Sequence, residues 1–187
     1  GAHVFTTDHF GPQYVGPEHH DPSRDRLGHL PYTREGFAGL ATAIARSVRA
    51  VLRPPAKMLV LDADNTLWSG VCGEEGPEGV RLDAAHLDLQ RWALGLRARG
   101  VLLGVASKNL DADVRAVMRR PDMLITSEHL AVERVTWSPK SSTIREMAAE
   151  LELSPDTVVF IDDNPAEIGE VAAGLPQVLG IRLPTDP

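Results

Sequence analysis

Apolar residues recur with two different periods along this chain. Between 33 and 52, Phe37, Leu40, Ile44, Val48 and Leu52 follow one another at three- or four-residue spacing, the signature of one helical face. Thr33 suits the N-cap, Glu35 falls in the first turn, and Pro54-Pro55 ends the helix. From Lys57 the pattern changes. Met58-Leu59-Val60-Leu61 is a short continuous apolar run, as a strand covered on both faces requires. Further strands are predicted over 101–106, 123–126, 157–161 and 178–181. Helices are predicted over 87–99, 111–119, 141–151 and 166–173, with Gly100 and Gly174 as stops. This alternation predicts an α/β fold: a parallel sheet with right-handed crossovers and flanking helices.

Residues 1–31 break the pattern. They hold five of the seven histidines and four prolines, with little periodicity. A mostly irregular arm over 1–32 is expected, ahead of a catalytic domain over 33–187 with its lead helix at 33–52 and core at 57–181. The histidine spacings match no standard metal site. The Gly1-Ala2-His3 start lacks the basic and apolar blocks of a signal peptide and resembles the scar of a cleaved tag.

Composition narrows the class. Hydrophobic residues at 43% and charged residues at 24% exclude a disordered chain, a collagen-like repeat and a disulfide scaffold. No apolar run approaches ~18 residues, so no membrane-spanning helix is expected. A net charge of -7 argues against nucleic acid as partner. The single cysteine, Cys72, cannot form an internal disulfide and fits a cytoplasmic protein.

Open parallel sheets bind ligands beyond the carboxyl ends of their strands. Here those ends are polar: Asp62-Ala63-Asp64-Asn65-Thr66 after the first strand, Ser107-Lys108-Asn109 after the second, Lys140 before a helix, and Asp162-Asp163-Asn164 after the strand ending at Ile161. Taken singly, each has a plainer reading: a turn, an N-cap or a solvated lysine. Taken together on one sheet edge they predict one crevice. At an effective dielectric of ~20, two carboxylates about 4 Å apart repel by ~4 kcal/mol. A hard divalent cation such as Mg²⁺ is the natural neutraliser, with a phosphorylated small molecule completing its shell. One aspartate can then attack phosphorus while another handles the leaving-group proton.

These residues resemble the signature of the haloacid dehalogenase-like (HAD) superfamily. Leu61-Asp62-Ala63-Asp64-Asn65-Thr66-Leu67-Trp68 is similar to its first motif, and Ser107, Lys140 and Asp162-Asp163 resemble the second, third and fourth in order. The run from Asp62 to Gly76, Ser107-Lys108-Asn109, the segment from Phe160 to Glu167, and Leu27-Gly28-His29-Leu30-Pro31-Tyr32-Thr33 are similar to the FkbH-like branch. The resemblance implies a Rossmann-like HAD fold with a short flap, since residues 67–87 are too few for a folded cap. It implies Asp62 as nucleophile forming an aspartyl-phosphate, and Asp64 as general acid/base with its backbone carbonyl on Mg²⁺. It also implies Thr66 and Ser107 on phosphate oxygens and Lys140 bridging nucleophile and phosphate. Asp162 would ligate Mg²⁺, with Asp163 behind it; Asn65, Lys108 and Asn109 would complete the substrate site. For the FkbH-like branch it implies glyceryl transfer in polyketide biosynthesis. A glyceryl unit is taken from 1,3-bisphosphoglycerate, phosphate is released, and the unit is loaded onto an acyl carrier protein.

Such a transfer invites an enzyme thiol, and Cys72 is the only one. It lies in the Gly-rich segment 69–79, which the resemblance makes a mobile flap. The plainer reading is a small buried apolar side chain. A simple Mg²⁺ phosphatase with no need of Cys72 is the main alternative. A signalling receiver domain shares the residue types but not their order. The chain also resembles a domain cut from a larger synthase.

Overall fold

The computed structural model describes residues 19–184. Of the arm expected over 1–32, residues 1–18, with His3 and His9, lie outside them. The chain divides into two compact units, Gly1–Pro54 and Pro55–Pro187. The division thus falls at Pro54-Pro55, so the lead helix groups with the N-terminal segment and not with the core.

The described part of the first unit is more regular than its composition suggests. Helix α1 (Pro22–Gly28) has Asp21 as N-cap, whose carboxylate accepts from the N–H groups of Ser23 and Arg24, and Pro22 in its first turn. His29 closes it with φ 53°, the left-handed conformation of a C-cap. Helix α2 (Arg34–Leu52) follows, with the Thr33 hydroxyl accepting from Gly36 N at 3.1 Å. Its large apolar side chains Phe37, Ile44, Val48 and Leu52 are exposed, while Gly36, Gly39 and Ala43 are buried.

The second unit is built around a five-stranded parallel sheet in the order β3-β2-β1-β4-β5. The strands are β1 (Met58–Leu61), β2 (Leu102–Ser107), β3 (Val132–Val135), β4 (Val158–Asp162) and β5 (Leu179–Arg182). Short helix α3 (Cys72–Glu75) precedes α4 (Ala84–Ala98); α5 (Asp111–Met118), α6 (Lys140–Glu150) and α7 (Pro165–Gly174) complete the crossovers. Central β1 is buried at every position, and its alternation divides the core. Leu59 and Leu61 pack with Ala93 of α4 and Val114 and Val117 of α5. Met58 and Val60 pack with Ile144 and Met147 of α6 and Val171 of α7. Helices on both faces explain why the strands read as unbroken apolar runs.

One predicted strand is replaced. Residues 123–126 are irregular, although Met123 and Ile125 are buried. Their backbone finds a side-chain partner in place of a neighbouring strand: the fully buried Gln90 accepts from Leu124 N and Ile125 N through Oε1 and donates to Leu67 O. The strand lies later, at Val132–Val135, on the sheet edge, where Glu133 and Arg134 interrupt the apolar pattern.

Candidate active site

The sheet brings the ends of β1, β2 and β4 side by side. Leu61 pairs with Val105 and with Ile161, so Asp62, the Ser107 region and Asp162 leave the sheet at one edge. There a crevice of about 320 Å³ is lined by Asp62, Asp64, Asn65, Ser107, Lys108 and Lys140, and by Asp163 and Glu167.

Lys140 organises it. Its side chain is almost wholly buried; Nζ donates to Asp62 Oδ1 and to Ala106 O, lies 3.8 Å from Asp162 Oδ2, and sits 5.6 Å from the centre of the Phe160 ring. It is no surface lysine. A buried ammonium persists only when so compensated. Ligand oxygens of Asp62, Asp162 and Asp163 lie within 4.8 Å of one another. One ammonium does not balance three carboxylates, and all three titrate above the ordinary carboxylate range. Burial raises Asp62, against the lowering effect of Lys140. Asp162 is pushed up to about 7, first by burial and then by the charge of Asp62. Burial also raises Asp163. Asp162 accepts from Asn164 N at 2.8 Å through Oδ1, while its buried Oδ2 has no hydrogen-bond partner. A buried, partnerless carboxylate oxygen beside two further carboxylates is the donor set of a hard divalent cation.

For Asp64 the resemblance implies its backbone carbonyl, not its carboxylate, as the atom that meets the cation. Its carboxylate is outside this cluster and is held by three donors: Trp68 Nε1 (2.9 Å) and Cys72 N (3.0 Å) on Oδ1, and Asn109 Nδ2 (2.7 Å) on Oδ2. Asp163, expected behind the metal, stands in the cluster instead. Asn109 turns to Asp64 and not to the crevice. Lys108 lines the crevice but is paired with Glu167 at 2.7 Å. Asn65 reaches a left-handed φ of 55° and accepts from Gly70 N at 2.9 Å, turning the chain out of β1. Thr66 is fully buried, its hydroxyl without a partner, and lines a neighbouring cavity and not the crevice.

Cys72 is the largest departure. It is 1% exposed and packs in the core beside Leu67 and Trp68. Its thiol is pushed up to about 12, first by burial and then by the Asp64 charge. What it gives the site is its backbone N–H. Nor is the 69–79 segment loose. Ser69 and Arg81 exchange backbone hydrogen bonds of 2.8 and 2.9 Å, and Arg120 donates to Pro77 O and Val80 O while paired with Asp122. A glycine-rich sequence suggests mobility; its Arg120 partner lies 40 or more residues away and is invisible in the local pattern. Trp68 and Glu167 are the functional neighbours that sequence reasoning missed. Trp68 follows Asp64 by four residues, which was the available signal.

No family model matches the chain, and no curated protein matches it. Among solved structures it is similar to the N-terminal part of a Bacteroides fragilis protein containing a phosphatase domain, in complex with Mg. That match has 27% identity and a TM-score of 0.81, over 96% of this chain and 49% of the other. A HAD-family enzyme from Bacteroides thetaiotaomicron, solved with magnesium and inorganic phosphate, matches at 12% identity and a TM-score of 0.56 over 71% of this chain and 96% of that one. The fold is that of the HAD enzymes. The HAD domain of the Legionella pneumophila effector Lem4 repeats it at 12% identity and a TM-score of 0.53, over 71% of this chain and 88% of the other. The chain spans about half the length of the Bacteroides fragilis structure. Among the described residues no helix is long and apolar enough to cross a membrane.

Proposed function

We propose that this domain is a Mg²⁺-dependent phosphatase of the HAD type, acting on a phosphorylated small molecule through Asp62. The observation that carries this reading is the pairing of Asp62 with the buried Lys140 beside the Asp162–Asp163 carboxylates. The Mg complexes of two similar structures support it. Asp62, Asp162 and Asp163 would hold the cation, which when bound offsets carboxylate charge and lets a phosphate dianion approach. An Asp62 oxygen attacks phosphorus, the bond to the leaving oxygen breaks, and an aspartyl-phosphate forms. Asp64, fixed by Trp68, Asn109 and the Cys72 N–H, gives the leaving oxygen its proton and then takes one from the water that releases phosphate. Lys140 keeps Asp62 oriented throughout. A folded Asp62→Asn protein is expected to release no phosphate, and EDTA is expected to stop release by the native protein until Mg²⁺ is added. Full release by Asp62→Asn, or by metal-stripped protein, overturns the reading.

A finer reading rests on the FkbH-like resemblance: glyceryl transfer from 1,3-bisphosphoglycerate to an acyl carrier protein. The crevice, flanked among the described residues by a fastened loop and no folded cap, supports access for a carrier's phosphopantetheine arm. The burial and raised titration of Cys72 favour direct attack by the carrier thiol over an enzyme-bound thioester. Intact-mass analysis with 1,3-bisphosphoglycerate, Mg²⁺ and carrier protein tests this. Expected is a loaded carrier with no adduct on Cys72; a glyceryl adduct on Cys72 restores the covalent route, and an unloaded carrier removes transfer altogether.

A further inference from the structure

Beside the crevice lies a second cavity, of about 390 Å³, which the chemistry above leaves unused. The two share Asn65 and Asp163, so the cavity adjoins the place where a leaving group departs. Its far wall is the first turn of α4. There His86 Nδ1 is engaged by Asp83 Oδ1 at 2.6 Å, which leaves Nε2 as the ring atom for a ligand. Asn65 spends its side-chain oxygen on Gly70 N and keeps its NH₂. Leu89 and Leu183 supply apolar surface.

The charge of this wall is its most selective property. Among the described residues no lysine or arginine lines it. Asp83 is paired with His86, and Asp163 belongs to the carboxylate cluster. The nearby cations are committed outside the cavity wall, Lys140 to Asp62, Lys108 to Glu167 and Arg182 to the backbone carbonyl of Asp163. A second phosphate entering here would lose water and meet the Asp83 and Asp163 carboxylates with no lysine or arginine in the wall itself. A hydroxyl, by contrast, can donate to His86 and accept from Asn65. The volume is near the lower end of the roughly 300–1,000 Å³ of ligand sites, which suits a short chain.

We propose that this cavity receives the leaving group and selects phosphomonoesters of short, uncharged, hydroxyl-bearing chains over chains carrying a second anionic group. The proposal rests on the phosphatase reading. For the glyceryl reading it means that the phosphate removed here is the last one on the chain.

The test compares kcat/KM of the Mg²⁺-loaded protein for acetyl phosphate, glycerol 3-phosphate, 3-phosphoglycerate and 2,3-bisphosphoglycerate. From glycerol 3-phosphate onward, each added anionic group is expected to lower kcat/KM by roughly tenfold or more. His86→Ala is expected to lower the ratio of glycerol 3-phosphate to acetyl phosphate by roughly tenfold, the worth of one hydrogen bond. Ala85→Trp, at an exposed helical position on the cavity wall, is expected to lower the same ratio by filling the space. Faster turnover of the bisphosphate, or ratios unmoved by both substitutions, overturns the proposal while the phosphatase reading stands. No release from any substrate, acetyl phosphate included, overturns the phosphatase reading and the proposal with it.

Discussion

Replacing Asp162 by asparagine should make the metal-free protein more stable while ending its response to Mg²⁺. Asp162 ionises near pH 7 in the folded protein because its side chain is 1% exposed and faces Asp62. In the unfolded chain it returns to its ordinary 3.8. A folded-state value raised in this way gives stability that is fully present below about pH 4 and is lost as pH rises through about 7. The gap corresponds to about 4 kcal/mol, and sharing the burden with Asp62 reduces the expected effect to about 2–4 kcal/mol. Asparagine carries no charge to bury. Its carbonyl oxygen can keep the bond from Asn164 N, and its NH₂ takes the place of the partnerless Oδ2. In EDTA at pH 8 the variant should therefore melt roughly 5–15 °C above the native protein, with the difference shrinking towards pH 4.5. Added Mg²⁺ should raise the native Tm and leave the variant's unchanged. Thermal melts by circular dichroism across this pH range decide the matter. A native protein equally stable relative to Asp162→Asn at pH 4.5 and pH 8 without cation would refute the reasoning.

Cys72→Ser should keep phosphate release, since Asp64 is held by the backbone N–H of residue 72, and should lose about 1–2 kcal/mol of stability from a buried hydroxyl; urea titration and a phosphate-release assay measure the two. Asn109→Ala removes the donor at 2.7 Å from Asp64 Oδ2 and should lower kcat by roughly tenfold to a hundredfold with little change in Tm, read from steady-state kinetics and a melt. Gln90→Leu strands the N–H groups of Leu124 and Ile125 and should cost about 2–4 kcal/mol in urea unfolding.

The parallel core was legible because burial on both faces writes itself as uninterrupted apolar residues. β1, β2 and β4 carry that mark, while β5 at the other edge is half-buried to exposed. Edge strand β3 does not, since Glu133 and Arg134 are affordable on a rim and hide it. The run at 123–126 looked like a strand because its side chains are buried, but burial does not say where a backbone finds its partners, and Gln90 supplies them. Helix α1 had a readable sign in Asp21-Pro22, overlooked among histidines. Within the site, the aspartates were readable from their places at strand ends and Lys140 from its place at the start of a helix. The roles of Asn109 and Cys72 were not, because they depend on which way a side chain turns after the chain leaves the sheet.

The loop at 69–81 has a further consequence. Stitched to Arg81 and strapped by Arg120, it gives the crevice a fixed rim among the described residues. On the proposed reading, a crevice whose rim does not move keeps bulk water beside Asp62, and water is then the acceptor that a phosphorylated aspartate meets first. Any other acceptor has to arrive with its own shelter. A partner that covers the rim as it docks would change the product without changing a single residue of the catalytic machinery.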